Sequence, residues 1–159
     1  YEATRRTDTA VGISVNPDDY TDAQEFELAV SIHASIGVQC LLQDRPLTAH
    51  AGDDHTTPRN ATTFLDSCSA IEPDLDDNPN LAQGTLDYAA DASFYYFTVG
   101  RLKDVDEIKH MALTLPRSAT CVVLQAAVSQ QRAIRRFPNF ILATVGDLND
   151  LPMIMGVLS

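Results

Sequence analysis

The chain has 159 residues, 45 % of them hydrophobic, which suits one globular domain with a buried core and excludes a disordered segment. Its formal net charge of -11 and a pI near 4.5 argue against a duplex DNA or RNA partner, since phosphate binding needs a basic face. The acid is mostly Asp, scattered through turns and helix starts, as expected of caps and a solvated surface rather than an acidic tail.

Residues 1–8, YEATRRTD, read as an extended arm in which Arg5 and Arg6 are ion-pair donors on the surface or between domains. The first residue is not Met, so the chain reads as a piece of something longer. A continuous apolar run, Ala10 to Val15, predicts a strand covered on both faces, and Pro17 ends it. Thr21 and Gln24 have capping-box spacing for a long helix to Gln43. There Glu27, Ser31, Ser35, Gln39 and Gln43 leave one narrow stripe for water.

Pro46 and LTAHAG predict a second strand, and GDDHTTP a polar loop. Thr57 as cap and Pro58 at the first helical position start a second helix bearing Phe64, Leu65, Cys68 and Ile71. After an acidic loop, Asn78 and Pro79 open a short helix with Leu81, Leu86 and Ala89. SFYYFTV, residues 93–99, is the third strand, closed by Gly100. Asp104 and Glu107 cap a helix with Val105, Ile108, Ala112 and Leu115 on one face, and Pro116 stops it. SATCVVLQAAV is a fourth strand, QQRAIRRFP a basic connecting loop, NFILATVG a fifth strand, and Asp147 to Leu158 the last helix.

That order predicts a three-layer α/β/α sandwich, Rossmann-like, around a doubly wound, mostly parallel five-stranded sheet of order 2-1-3-4-5. Ligands of such sheets bind at the carboxyl ends of strands where the order reverses, here between strands one and three. Asn16, Asp18, Asp19, Thr98 and Arg101 therefore make the expected binding crest. Asn16, Asp18 and Asp19, with Asp53, Asp54 and His55 from the neighbouring loop, are the oxygen-rich candidates for Mg²⁺ or Ca²⁺; the alternative is that they are turn formers and caps.

Other chemistries lack their residues. The acceptor Asp and the Lys of a phosphotransfer receiver domain are replaced by Thr98-Val99-Gly100 and Thr144-Val145-Gly146, and there is no nucleotide-binding glycine motif. His33 and His50 read as core residues, His110 as exposed, and only His55 as a crest imidazole. Neither Ser14 nor Cys121 has a base beside it. Cys40, Cys68 and Cys121 have no metal spacing and read as reduced packing residues. No apolar run approaches the about 20 residues of a membrane span.

Three stretches carry a resemblance: Asn16-Pro17-Asp18-Asp19-Tyr20 into Glu25 to Val30, Phe94 to Gly100, and Thr144 to Pro152. Across essentially the whole chain they resemble actinobacterial members of domain-of-unknown-function family fifty-eight. The resemblance implies a C-terminal von Willebrand factor A-like domain following membrane helices and a β-rich region. It further implies a place on the cytoplasmic face of the bacterial membrane and a MoxR-type AAA+ ATPase as partner in chaperone-like or envelope-related assembly. Von Willebrand A domains hold a divalent cation through D-x-S-x-S, which falls here on Ser14-Val15-Asn16-Pro17-Asp18, and through a later Asp, which falls on Val99. Two carboxylates are thus replaced. The function this implies is a non-catalytic protein-interaction module needing no cofactor, with a cation-dependent adhesion-type domain and a small hydrolase or phosphotransfer enzyme using His55 as alternatives.

Overall fold

The computed structural model describes residues 9–52, 54–75, 82, 85, 86, 89 and 92–158. Its elements run β1 (Thr9–Ile13), α1 (Ala23–Leu42), β2 (Leu47–Ala51), β3 (Asp54–Thr56), α2 (Ala61–Ser69), β4 (Phe94–Gly100), α3 (Val105–Leu113), β5 (Thr120–Ala126), β6 (Ala133–Arg136), β7 (Ile141–Val145) and α4 (Leu151–Leu158). The strands form one sheet of order β3-β2-β1-β4-β5-β7-β6. Its five inner strands are parallel neighbours in the expected order, and the edge strands β3 and β6 run antiparallel to theirs. The sheet is therefore mixed and seven-stranded rather than five-stranded.

Both added strands replace expected loops, and both are polar. β3 turns back after Gly52, whose φ of +60° is left-handed, and Asp54 and His55 are exposed. β6 exposes Arg135 and Arg136 and keeps only Ile134 against the core. A short edge strand is held by backbone bonds to one neighbour and buries little, so its residues show no hydrophobic pattern.

Alternation along the inner strands builds two apolar layers. Val11, Ile13, Val122, Leu124, Ala143 and Val145 meet Phe26, Ile32 and Ile36 of α1, Phe64 of α2, and Leu151 and Ile154 of α4. On the opposite face Tyr95, Phe97, Val99, Cys121 and Val123 meet Ile108 and Met111 of α3, with Ala82 and Ala89 beside them. Ala82, Thr85, Leu86 and Ala89 are helical where a short helix is expected; its Asn78, Pro79 and Leu81 lie outside the described residues, as do Arg5, Arg6 and the 1–8 arm.

Two caps differ from expectation. α1 is capped by Asp22, whose carboxylate accepts from Glu25 N at 2.9 Å, because the Thr21 hydroxyl is turned to the Glu25 side chain instead. α2 starts later than Thr57-Pro58, at an Asn60 cap accepting from Thr63 N at 2.8 Å. Asp104 does cap α3. At 20 residues and a mean hydropathy of 1.2, α1 is long and apolar enough to cross a membrane, contrary to the reading of the apolar runs; it instead lies on the sheet and against α2.

Candidate functional site

At the carboxyl end of β1 the pairing with β4 continues one residue, Ser14 N donating to Thr98 O at 2.9 Å. Asn16 then caps a 3-10 turn, Pro17–Asp19, its side chain accepting from Asp18 N at 2.9 Å. The turn sends Asp18 outward, exposed, and Asp19 inward.

Asp19 is the hub of the crest. Its Oδ2 accepts from the Ser14 hydroxyl and lies 3.8 Å from Lys103 Nζ, an ammonium whose side chain is only 3 % exposed. Its carbonyl accepts from Leu102 N at 3.0 Å. So close a crossing of two loops demands a glycine: a Cβ on Gly100 would lie 2.0 Å from Asp19 O. Tyr20 closes the turn from behind, its hydroxyl donating to Ser14 O at 2.6 Å and its ring meeting Phe26 edge-on.

A second buried carboxylate locks the same loop to α1. Glu25, with no side-chain exposure, accepts from Thr21 Oγ1 at 2.9 Å, Thr21 N at 3.2 Å and Arg101 N at 3.0 Å. Arg101 Nε lies 3.2 Å from Glu25 Oε2, but its N–H is not aimed along that line, so the contact is ionic rather than a hydrogen bond. The far end of Arg101 donates to Val128 O at 2.9 Å. Arg101 is thereby a clamp between three loops.

The five expected crest residues are thus neighbours with different roles. Asp18 faces out and Asn16 is half-buried, whereas Asp19 points in, Arg101 is tied at both ends and Thr98 is buried. A partner could touch Asp18, but it could not touch the Thr98 side chain. Leu102, 55 % exposed beside these groups, is an apolar contact that sequence reasoning missed. Lys103 and Glu25 were missed as well.

The donor set does not suit a divalent cation. Asn16 spends its oxygen on its own turn, Val99 is fully buried, and the one inward carboxylate already accepts from the Ser14 hydroxyl and neighbours an ammonium. Asp53 lies outside the described residues. Asp54 and His55 belong to edge strand β3, and no cluster of three or more His, Cys, Asp or Glu is placed to hold a metal among the described residues.

His33 and His50 are buried, and His110 is exposed on α3. Burial, with a smaller contribution from His50, lowers the His33 pKa to about 3, so its imidazole stays neutral. Burial likewise pushes the Cys68 and Cys121 thiols up to about 11 and about 12. Such thiols are poor nucleophiles at neutral pH.

No protein-family model matches the chain, and no curated protein sequence is significantly similar to it. In architecture it is similar to a solved structure, "von Willebrand factor type A from Catenulispora acidiphila", with a TM-score of 0.51 at 7 % identity. The match covers 96 % of this chain and 42 % of that one, so the chain spans less than half the length of that protein. At so low an identity the likeness concerns the fold alone: the chain has a von Willebrand factor A-like α/β fold.

Proposed function

We propose that the chain is a non-catalytic protein-interaction module that docks a partner on its crest without a metal ion. The observation that carries this reading is Lys103: a buried ammonium beside Asp19 places a positive charge inside the crest, against the one inward carboxylate that a cation would need. Support for an interaction role comes from the von Willebrand A-like fold and from exposed Leu102, whose N–H bonds Asp19 O, with exposed Asp18 and Asp104 close to these two residues in the chain. Such a surface fits a basic patch with an apolar pocket.

The sequence resemblance to actinobacterial members of domain-of-unknown-function family fifty-eight supports a MoxR-type AAA+ ATPase as that partner. It also supports a membrane-anchored parent protein with this part on the cytoplasmic face, and the three free, buried cysteines are compatible with a reducing compartment.

The test is interferometry of the immobilised chain against a MoxR-type AAA+ ATPase, in EDTA. Binding should persist in EDTA and fall about tenfold or more with Leu102→Asp, as for a central apolar anchor. Asp18→Lys should slow association, since a rim charge acts mainly on encounter. Binding that requires a divalent ion, or that is indifferent to both substitutions, would overturn the proposal.

A further inference from the structure

The sheet edge formed by β2 and β3 leaves a cleft of about 700 Å³ against α1, α2 and residues 71–74. Phe64 and Ile71 give it an apolar wall. His50 and His55 stand directly opposite each other across the β2–β3 pair, so they share a face, and both line the cleft with His33.

His33 is the unusual member. It is 2 % exposed, its ring centroid lies 5.7 Å from that of Phe64, and its Nδ1 has no hydrogen-bond partner among the described residues. A buried polar atom left so is costly, and a ligand that bonds it recovers that cost. Nδ1 itself has almost no accessible surface, and a half-turn about χ2, a soft torsion that keeps the outline of the ring, exchanges its place with that of Cδ2. A ligand hydroxyl, donor and acceptor at once, suits this nitrogen in either tautomer.

The mouth has the opposite character. Asp54, Glu72 and Asp74 are exposed there, and among the described residues neither Lys nor Arg lines the cleft. Anions are therefore disfavoured and cations attracted. A bare metal ion is a poor occupant, because no three ligating groups converge among the described residues.

From these features we infer that the cleft binds a small amphipathic organic cation: a protonated amine at the acidic mouth, a flat apolar body against Phe64 and Ile71, and a hydroxyl at His33. The site lies on the β2–β3 side of the crest and adjoins it at Val15, whose carbonyl accepts from Asp74 N at 2.8 Å.

Three probes of similar shape test this: tyramine, neutral para-ethylphenol and anionic para-hydroxyphenylpropionate, titrated by NMR at about pH 8, where ordinary imidazoles are neutral. Tyramine should give saturable shifts at His33, His50 and Phe64, bind about fivefold more tightly than the phenol, and leave the propionate without measurable binding. Asp54→Asn with Glu72→Gln, both at exposed positions, should bring tyramine most of the way down to the level of the phenol, with Asp74 still at the mouth. In His33→Leu, tyramine and phenethylamine should bind alike, because the hydroxyl has lost its partner. Absence of a saturable shift at His33, equal affinity for all three probes, or undiminished tyramine binding by the rim double variant would overturn the inference.

Discussion

Replacing Lys103 with Met keeps most of the apolar stem and removes the ammonium beside Asp19. Two unit charges 3.8 Å apart attract by about 4 kcal/mol at the effective dielectric suited to pairs near a protein surface. Desolvation of a lysine 3 % exposed and a carboxylate 14 % exposed takes back part of that. The Ser14 hydroxyl still holds the carboxylate in the variant, so the loss should be about 2 kcal/mol, less than for a buried pair with no other support. Urea unfolding of wild type, Lys103→Met, Asp19→Asn and the double variant isolates the pair, with an expected coupling of about 1 to 2 kcal/mol. The same unfolding in EDTA and then in millimolar Mg²⁺, Mn²⁺ or Ca²⁺ should give the wild type one unchanged midpoint, since a ligand of the native state alone must raise it. A coupling below about 0.5 kcal/mol, or a wild-type midpoint that rises with metal, would refute the idea that lysine stands in for a cation here.

Gly100→Ala places a methyl group 2.0 Å from a backbone carbonyl that cannot swing aside, so the two crest loops must part. A loss of about 3 kcal/mol in chemical unfolding is expected, and a loss within about 0.5 kcal/mol would show that the crossing is looser than drawn. His33 carries a pH dependence of definite sign. Its pKa is about 3 in the folded chain against an ordinary 6.5, so the unfolded chain binds the extra proton between those values. The stabilisation is complete above pH 6.5 and is lost as pH falls toward 3; wild type should lose about 2 kcal/mol more than His33→Leu between pH 7 and pH 5, and parallel pH profiles would contradict this.

Most inner strands were legible because a strand covered on both faces is a nearly unbroken apolar run, and their alternation with helices, under right-handed crossovers, predicted the order of the inner sheet. β3 and β6 were not, since Asp54-His55-Thr56 and Ala133 to Arg136 are held by bonds that any backbone can make. The crest was legible as a place, through the reversal of strand order, but not as a mechanism. Lys103 in a polar turn reads as exposed, and only a long-range meeting with Asp19 buries it. Glu25 reads as a first-turn acid near the helix dipole, yet its partner Arg101 lies 76 residues away. Arg101, expected on the crest, does stand there, but what the sequence does not show is that folding ties it to Glu25 and to Val128 O while leaving it 37 % exposed.

The two sheet edges differ in charge as well as in sequence. β6 exposes Arg135 and Arg136, with Lys109 and Arg135 over the Phe137 ring at 5.4 and 5.0 Å, while the edge at β3 lies beside Asp54, Glu72 and Asp74. Among the described residues, then, the charge of this chain of net -11 is uneven, with arginines on one sheet edge and carboxylates beside the other. In the field of a charged surface such a body feels a torque before any atoms touch, and it arrives already turned with its arginine edge toward negative charge.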